Sequence, residues 1–113
     1  MSRDSKFYWQ DMTEACRRIT LYTQGMDAEQ FQGDEKTRDA VLRNLEVIGE
    51  AAKRLPADIR IGHSAIDWRR IAGFRDIIAH AYFGIDPAIL WDIVSNKVPE
   101  LRRQLEVESG RSS

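Results

Sequence analysis

The sequence predicts an all-α protein, an up-and-down bundle of four main helices, on three observations. Apolar residues recur at three- and four-residue steps through long segments, and capping residues, glycine or proline bracket those segments. No alternating apolar and polar run bounded by turns appears anywhere, so the pattern leaves helices packed on helices.

Residues 5 to 24 place Trp9, Met12, Cys16, Ile19 and Thr23 along one helical face, and Gly25 supplies the stop. The acidic "DAEQF" is expected to form one turn, and "GDEKT" then begins a second long helix, about 35 to 55, with acids near its positive end. Val41, Leu45, Ile48, Ala52 and Leu55 make its stripe the clearest in the chain. Arg43, Glu46, Glu50, Lys53 and Arg54 lie opposite, and Pro56 ends it. "PADIRIGHSAI" follows no period and reads as a loop with His63 at its surface. A third helix opens at Asp67, whose carboxylate can accept from the first free N–H groups, and exits at Gly84. Gly73 inside it costs about 1 kcal/mol relative to Ala, so a break or a close backbone contact is expected there. Asp86 and Pro87 make an N-cap and first-turn pair for the last helix, and Pro99 is expected to kink or split it near Asn96. Residues 1 to 108 read as one domain and the small polar end, 109 to 113, as a disordered tail.

Composition limits the function. The charged fraction is 31% and the net charge −1, so no global field draws in nucleic acid and any RNA binding needs a local basic patch. A single cysteine, Cys16, excludes an internal disulfide, and the two histidines add no ligand spacing, so no metal or other cofactor is expected. There is no Gly-rich phosphate loop. The opening "MSRDSKFYW" has neither a signal-peptide core nor the length of a membrane span, and the cytoplasm is the expected location.

The chemistry gathers in "FRDIIAHAYFG", residues 74 to 84. At about 100° per residue, with Arg75 at the origin, Tyr82 falls near −20°, Asp76 near 100° and His80 near 140°. Phe74, Ile77, Ile78 and Ala81 take the complementary arc, so the polar side chains share one face. Ala79 and Phe83 fall within the polar arc, which suits a surface partly packed against something. Histidine titrates near neutrality and can move a proton, while arginine presents a permanent fork of donors that matches phosphate oxygens. That pair suffices for attack of an RNA 2′-hydroxyl on its neighbouring phosphate without a metal. Asp76, one turn before His80, can orient the imidazole, and Tyr82 can bond a phosphate or stack on a base. The alternative is a structural Asp–His pair and a solvated arginine, giving a non-catalytic helical dimer whose groove holds a nucleotide or a partner. One chain also offers one such histidine where acid and base call for two groups. Asn44, Glu46 and Glu50 could border the same cleft or form a solvated helix face; Arg69 and Arg70, beside Trp68, could supply the basic patch or merely be exposed.

Arg75, His80 and Tyr82 form R-x-x-x-x-H-x-Y, which resembles the signature of HepT-like toxins of the HEPN superfamily. The flanks "DEKTRDAVLRNLEVIGEAAKRLP", "DWRRIAGFRDIIAHAYFGID" and "LWDIVSNKVPELRRQLE" are similar to that family in the same order. The resemblance implies a helical ribonuclease acting on RNA rather than DNA, with Arg75 and His80 as catalytic pair and Asp76 in support. It also implies a homodimer with two motifs facing across a cleft, which would supply the second histidine. The implied partner is a small nucleotidyltransferase antitoxin of the MNT type, and Tyr82 is where it could attach AMP.

Overall fold

The computed structural model describes residues 1–81 and 86–111. Helix α1 (Arg3–Thr23) starts where the Ser2 hydroxyl accepts the Ser5 N–H at 3.1 Å, and the chain leaves it through Gly25 at φ 78°. The expected turn is a short helix, α2 (Ala28–Gly33), closed at its start by a reciprocal capping box between Asp27 and Gln30. Asp34 caps α3 (Glu35–Arg54), accepting from the Thr37 N–H at 3.0 Å and its hydroxyl at 2.8 Å. Then come α4 (Ala57–Gly62), α5 (Trp68–Ala81), α6 (Pro87–Asp92) and α7 (Val98–Arg111). The fold is all-α as predicted, with no strand among the described residues, and α1, α3, α5 and α7 are the long helices.

Helix α1 packs against both α3 and α7, and α3 carries α5 on its far side. The predicted stripes make this core: Trp9, Met12, Cys16 and Ile19 from α1 are buried against Val41, Leu45 and Ile48 of α3. Ile71 and Phe74 of α5 close it from one flank, and Val98 and Leu105 of α7 from the other. The Trp9 indole N–H donates to the Leu105 carbonyl at 3.1 Å, so the largest core side chain has its polar edge satisfied. Burial pushes the Cys16 thiol up to about 12. Among the described residues no helix is long and apolar enough to cross a membrane.

Four details depart from the sequence reading. The segment after Pro56 is not all loop, because residues 57 to 62 coil into α4. His63 is not a surface residue. It is 8% exposed, its Nδ1 lies 3.0 Å from the Glu108 carboxylate, and its ring sits 4.8 Å from that of Trp9. The carboxylate comes from α7 (Val98–Arg111), which also takes in residues 109–111, read as part of a disordered end. Gly73 neither breaks α5 nor touches a neighbour, since a Cβ placed there would meet nothing within 4 Å. The effect of Pro99 is as expected in place and now has a form: a π-helical stretch, Ile93–Lys97, precedes α7, and the wider turn accommodates a residue that has no N–H to donate.

Candidate active site

Helix α5 is one uninterrupted helix from Trp68 to Ala81, so Arg75 and His80 are fixed on a common axis about 7.5 Å apart in rise. Asp76 lies one turn before His80. His80 is placed by its backbone alone, and Tyr82, with Phe83 and Gly84, lies outside the described residues. Asp76, Ala72 and Ala79 are exposed, while Phe74 is buried and Ile77 and Ile78 are half-buried. The polar arc of the wheel is thus the open side of α5.

Arg75 is positioned by α3. A Cβ built on Gly49 would lie 3.4 Å from Arg75 Cγ and 3.9 Å from Cδ, so the arginine stem crosses α3 where that helix has no side chain. Its guanidinium Nη2 then reaches Glu50 Oε1 at 3.0 Å. The two side chains are 52% and 41% exposed, so water screens the pair and its net stabilisation is under about 1 kcal/mol. The stem lies over the bare stretch of α3 and the charged head stays accessible.

Beside this arginine lies an open hollow of about 240 Å3. Gly49, Ala52 and Ala72 form a floor of small residues, and Lys53, Arg60 and Arg75 bring cations from α3, α4 and α5 to its rim. Trp68 walls one side, its indole N–H donating to the carbonyls of Arg60 at 3.1 Å and His63 at 3.2 Å. This arrangement can receive an anion with Arg75 as one of several donors.

The other residues singled out in the sequence are dispersed around it. Glu50 stands beside Arg75. Glu46 is exposed and pairs with Arg43 at 3.3 Å, on the side of α3 that faces α1. Asn44 is 8% exposed and donates its amide to the Ala40 carbonyl at 2.8 Å, which makes it part of the helix's buried side rather than a groove-lining group. Arg70 is engaged by Asp67 at 3.9 Å and Glu100 at 3.5 Å. Arg69 is exposed and faces a second hollow that shares Arg60 and Trp68 with the first. Lys53, Arg60 and Gly49 were not singled out. A glycine in the middle of the clearest helical stripe was the available signal for Gly49; Arg60 sat in a segment without a period.

This arrangement lies within residues 12–108, which match a family model described as ribonuclease HepT-like. The chain belongs to the HepT-like ribonuclease family. It is 42% identical over 106 residues to a protein of Thermococcus cleftensis named "Probable ribonuclease HepT", covering 94% of this chain and 96% of that one. A protein of Methanocaldococcus jannaschii named as a putative RNase is 41% identical over 104 residues, 92% of this chain and 86% of the relative. A third, a putative RNase of Caldanaerobacter subterraneus, is 36% identical over 99 residues, 88% of each chain. No solved structure matches the chain. The HepT-like match takes in α3 and α5 whole and most of α7 with the second half of α1, so the order of flanks that suggested the family and the helical fold agree.

Proposed function

We propose that this HepT-like protein is a metal-independent endoribonuclease, the toxin of a toxin–antitoxin pair. The observation that carries the reading is Arg75, held by its stem on Gly49 with its head exposed at a cation-lined hollow, in a helix that continues to His80. In this reading the RNA 2′-hydroxyl attacks the adjacent phosphate, forming the P–O2′ bond and breaking P–O5′. His80 takes the 2′-proton, a second His80 from the other subunit returns one to the leaving 5′-oxygen, and Arg75 balances the charge that grows on phosphorus.

The two-subunit form is supported by the geometry of one helix. On the helical wheel Arg75 and His80 lie at opposite edges of the polar arc, about 140° apart, and a two-fold axis would bring a second copy of each to one phosphate. The exposed Ala72, Asp76 and Ala79 leave that side of α5 open for the approach. Asp76 orients the His80 ring. A nucleotidyltransferase partner adding AMP at Tyr82 would place negative charge beside Arg75 and block phosphate binding.

The test is RNA cleavage by the purified chain in excess EDTA. Arg75→Ala and His80→Ala should each abolish cutting while keeping the helical circular-dichroism spectrum. If the His80 variant cuts as fast as the parent, the catalytic assignment fails. Binding of RNA or nucleotide with no turnover by the parent would favour the non-catalytic module instead.

A further inference from the structure

We infer that the hollow beside Arg75 is a second phosphate subsite, in which Lys53 and Arg60 hold the backbone of single-stranded RNA next to the phosphate being cut. The inference rests on the ribonuclease reading and adds to it the direction in which the strand leaves the site: from Arg75 across α3 and α4 towards Trp68.

Charge compensation is the first argument. Several surface arginines lie against carboxylates, Arg17 on Glu14 at 2.7 Å, Arg43 on Glu46 at 3.3 Å, Arg102 on Glu106 at 3.2 Å and Arg70 on Glu100 at 3.5 Å, and so have part of their charge already answered. Among the described residues neither Lys53 nor Arg60 has a carboxylate within 4.0 Å, although both line the same hollow as Arg75 in a chain of net charge −1. Three like charges from three helices share the single carboxylate of Glu50, on Arg75, and a polyanion would relieve the repulsion that remains.

Shape is the second argument. The floor of Gly49, Ala52 and Ala72 leaves the space between the cations unfilled, and the volume of about 240 Å3 accepts a phosphate with part of its ribose. Trp68 cannot swing into that space, because its N–H is tied to two backbone carbonyls. Past Trp68, the second hollow shares Arg60 and brings in Arg69, so cations continue along the same line. A row of cations with an aromatic wall is the pattern by which single strands are tracked without sequence readout.

The test uses the full-length protein. In the His80→Ala background, affinity for a single-stranded oligoribonucleotide is measured against salt for the parent, for Lys53→Ala with Arg60→Ala, and for Arg18→Ala, which lies on α1. The double variant should bind roughly tenfold or more weakly, with a log–log salt slope shallower by about 1.4, since each single-strand phosphate contact contributes roughly 0.7. Arg18→Ala should change neither. The charge-keeping swap of Lys53→Arg with Arg60→Lys should restore the slope. An unchanged slope and affinity in the double variant, with a parent chain that still cuts RNA, overturns the subsite and leaves the ribonuclease reading standing. Failure of the charge-keeping swap to restore the slope also overturns it. A parent that neither binds nor cuts RNA brings down both.

Discussion

Gly73→Ala should stabilise the protein, although the sequence alone argues for leaving that glycine untouched. The residue lies inside α5, two positions before Arg75, and Gly25 is the one residue with positive φ among those described. An alanine at position 73 therefore keeps ordinary helical geometry. Its methyl group would meet nothing within 4 Å, so no clash offsets the gain. Replacing a mid-helix glycine by alanine contributes about 1 kcal/mol, mostly by restricting the unfolded chain. With an unfolding entropy of roughly 2 cal/mol/K per residue, a 113-residue chain has about 0.24 kcal/mol/K at its midpoint, so the gain raises the melting temperature by about 4 °C. Thermal melts followed by circular dichroism, with the urea slope m checked for constancy, measure it. A midpoint that stays or falls would refute the reasoning, because the space above Gly73 would then have to be occupied, and the open side of α5 is where a second subunit is proposed to approach.

Two further outcomes follow from the caps and the buried pair. Glu108→Ala should cost about 3 kcal/mol in urea unfolding, the scale of breaking a buried pair, because Glu108 is 3% exposed against a nearly buried His63; a loss under about 1 kcal/mol would mean that α7 does not need this contact. Asp34→Ala should lower the thermal midpoint at neutral pH by a few degrees. Bonds from the Thr37 N–H and hydroxyl hold the Asp34 carboxyl below its usual value, so the folded chain releases this proton more readily than the unfolded one. The cap thus stabilises above the unfolded value near 4 and its contribution fades as pH falls through the lower folded one, so parent and variant should converge in acid. Persistence of the full gap there would refute the capping role.

What was legible in the sequence was what local period can encode. The stripe through Trp9, Met12, Cys16 and Ile19 and the one through Val41, Leu45 and Ile48 are buried as read, because a helical face repeats within a few residues. Short α4 escaped because six residues carry little period and its start has no side-chain cap. His63 escaped for a different reason: its carboxylate is 45 positions away, and nothing near "GHSA" announces it. The site divides along the same line. The spacing of Arg75, Asp76 and His80 was readable because it lies on one helix, whereas Gly49 under the Arg75 stem, 26 positions earlier, and Arg60 across the hollow are products of packing.

That packing bears on how, in the proposed site, an arginine on a near-neutral protein would be ready for phosphate. A fully buried Arg–Glu pair would spend its donors on the carboxylate, and a phosphate would have to displace a desolvated partner. A free arginine on a flexible stem would lose side-chain entropy on every binding event. Arg75 avoids both extremes. The stem runs over Gly49, where α3 offers no side chain to divert it, while the half-exposed pair with Glu50 at 3.0 Å occupies the guanidinium only weakly. In the proposed site an RNA phosphodiester carries one negative charge, as the carboxylate does, but would meet Lys53 and Arg60 as well, so the exchange would favour the phosphate. On that proposal Glu50 would act as a placeholder that keeps the fork oriented between turnovers, and the lack of a carboxylate partner for Lys53 and Arg60 among the described residues would make the hollow, rather than the α3 surface, the side from which the exchange occurs.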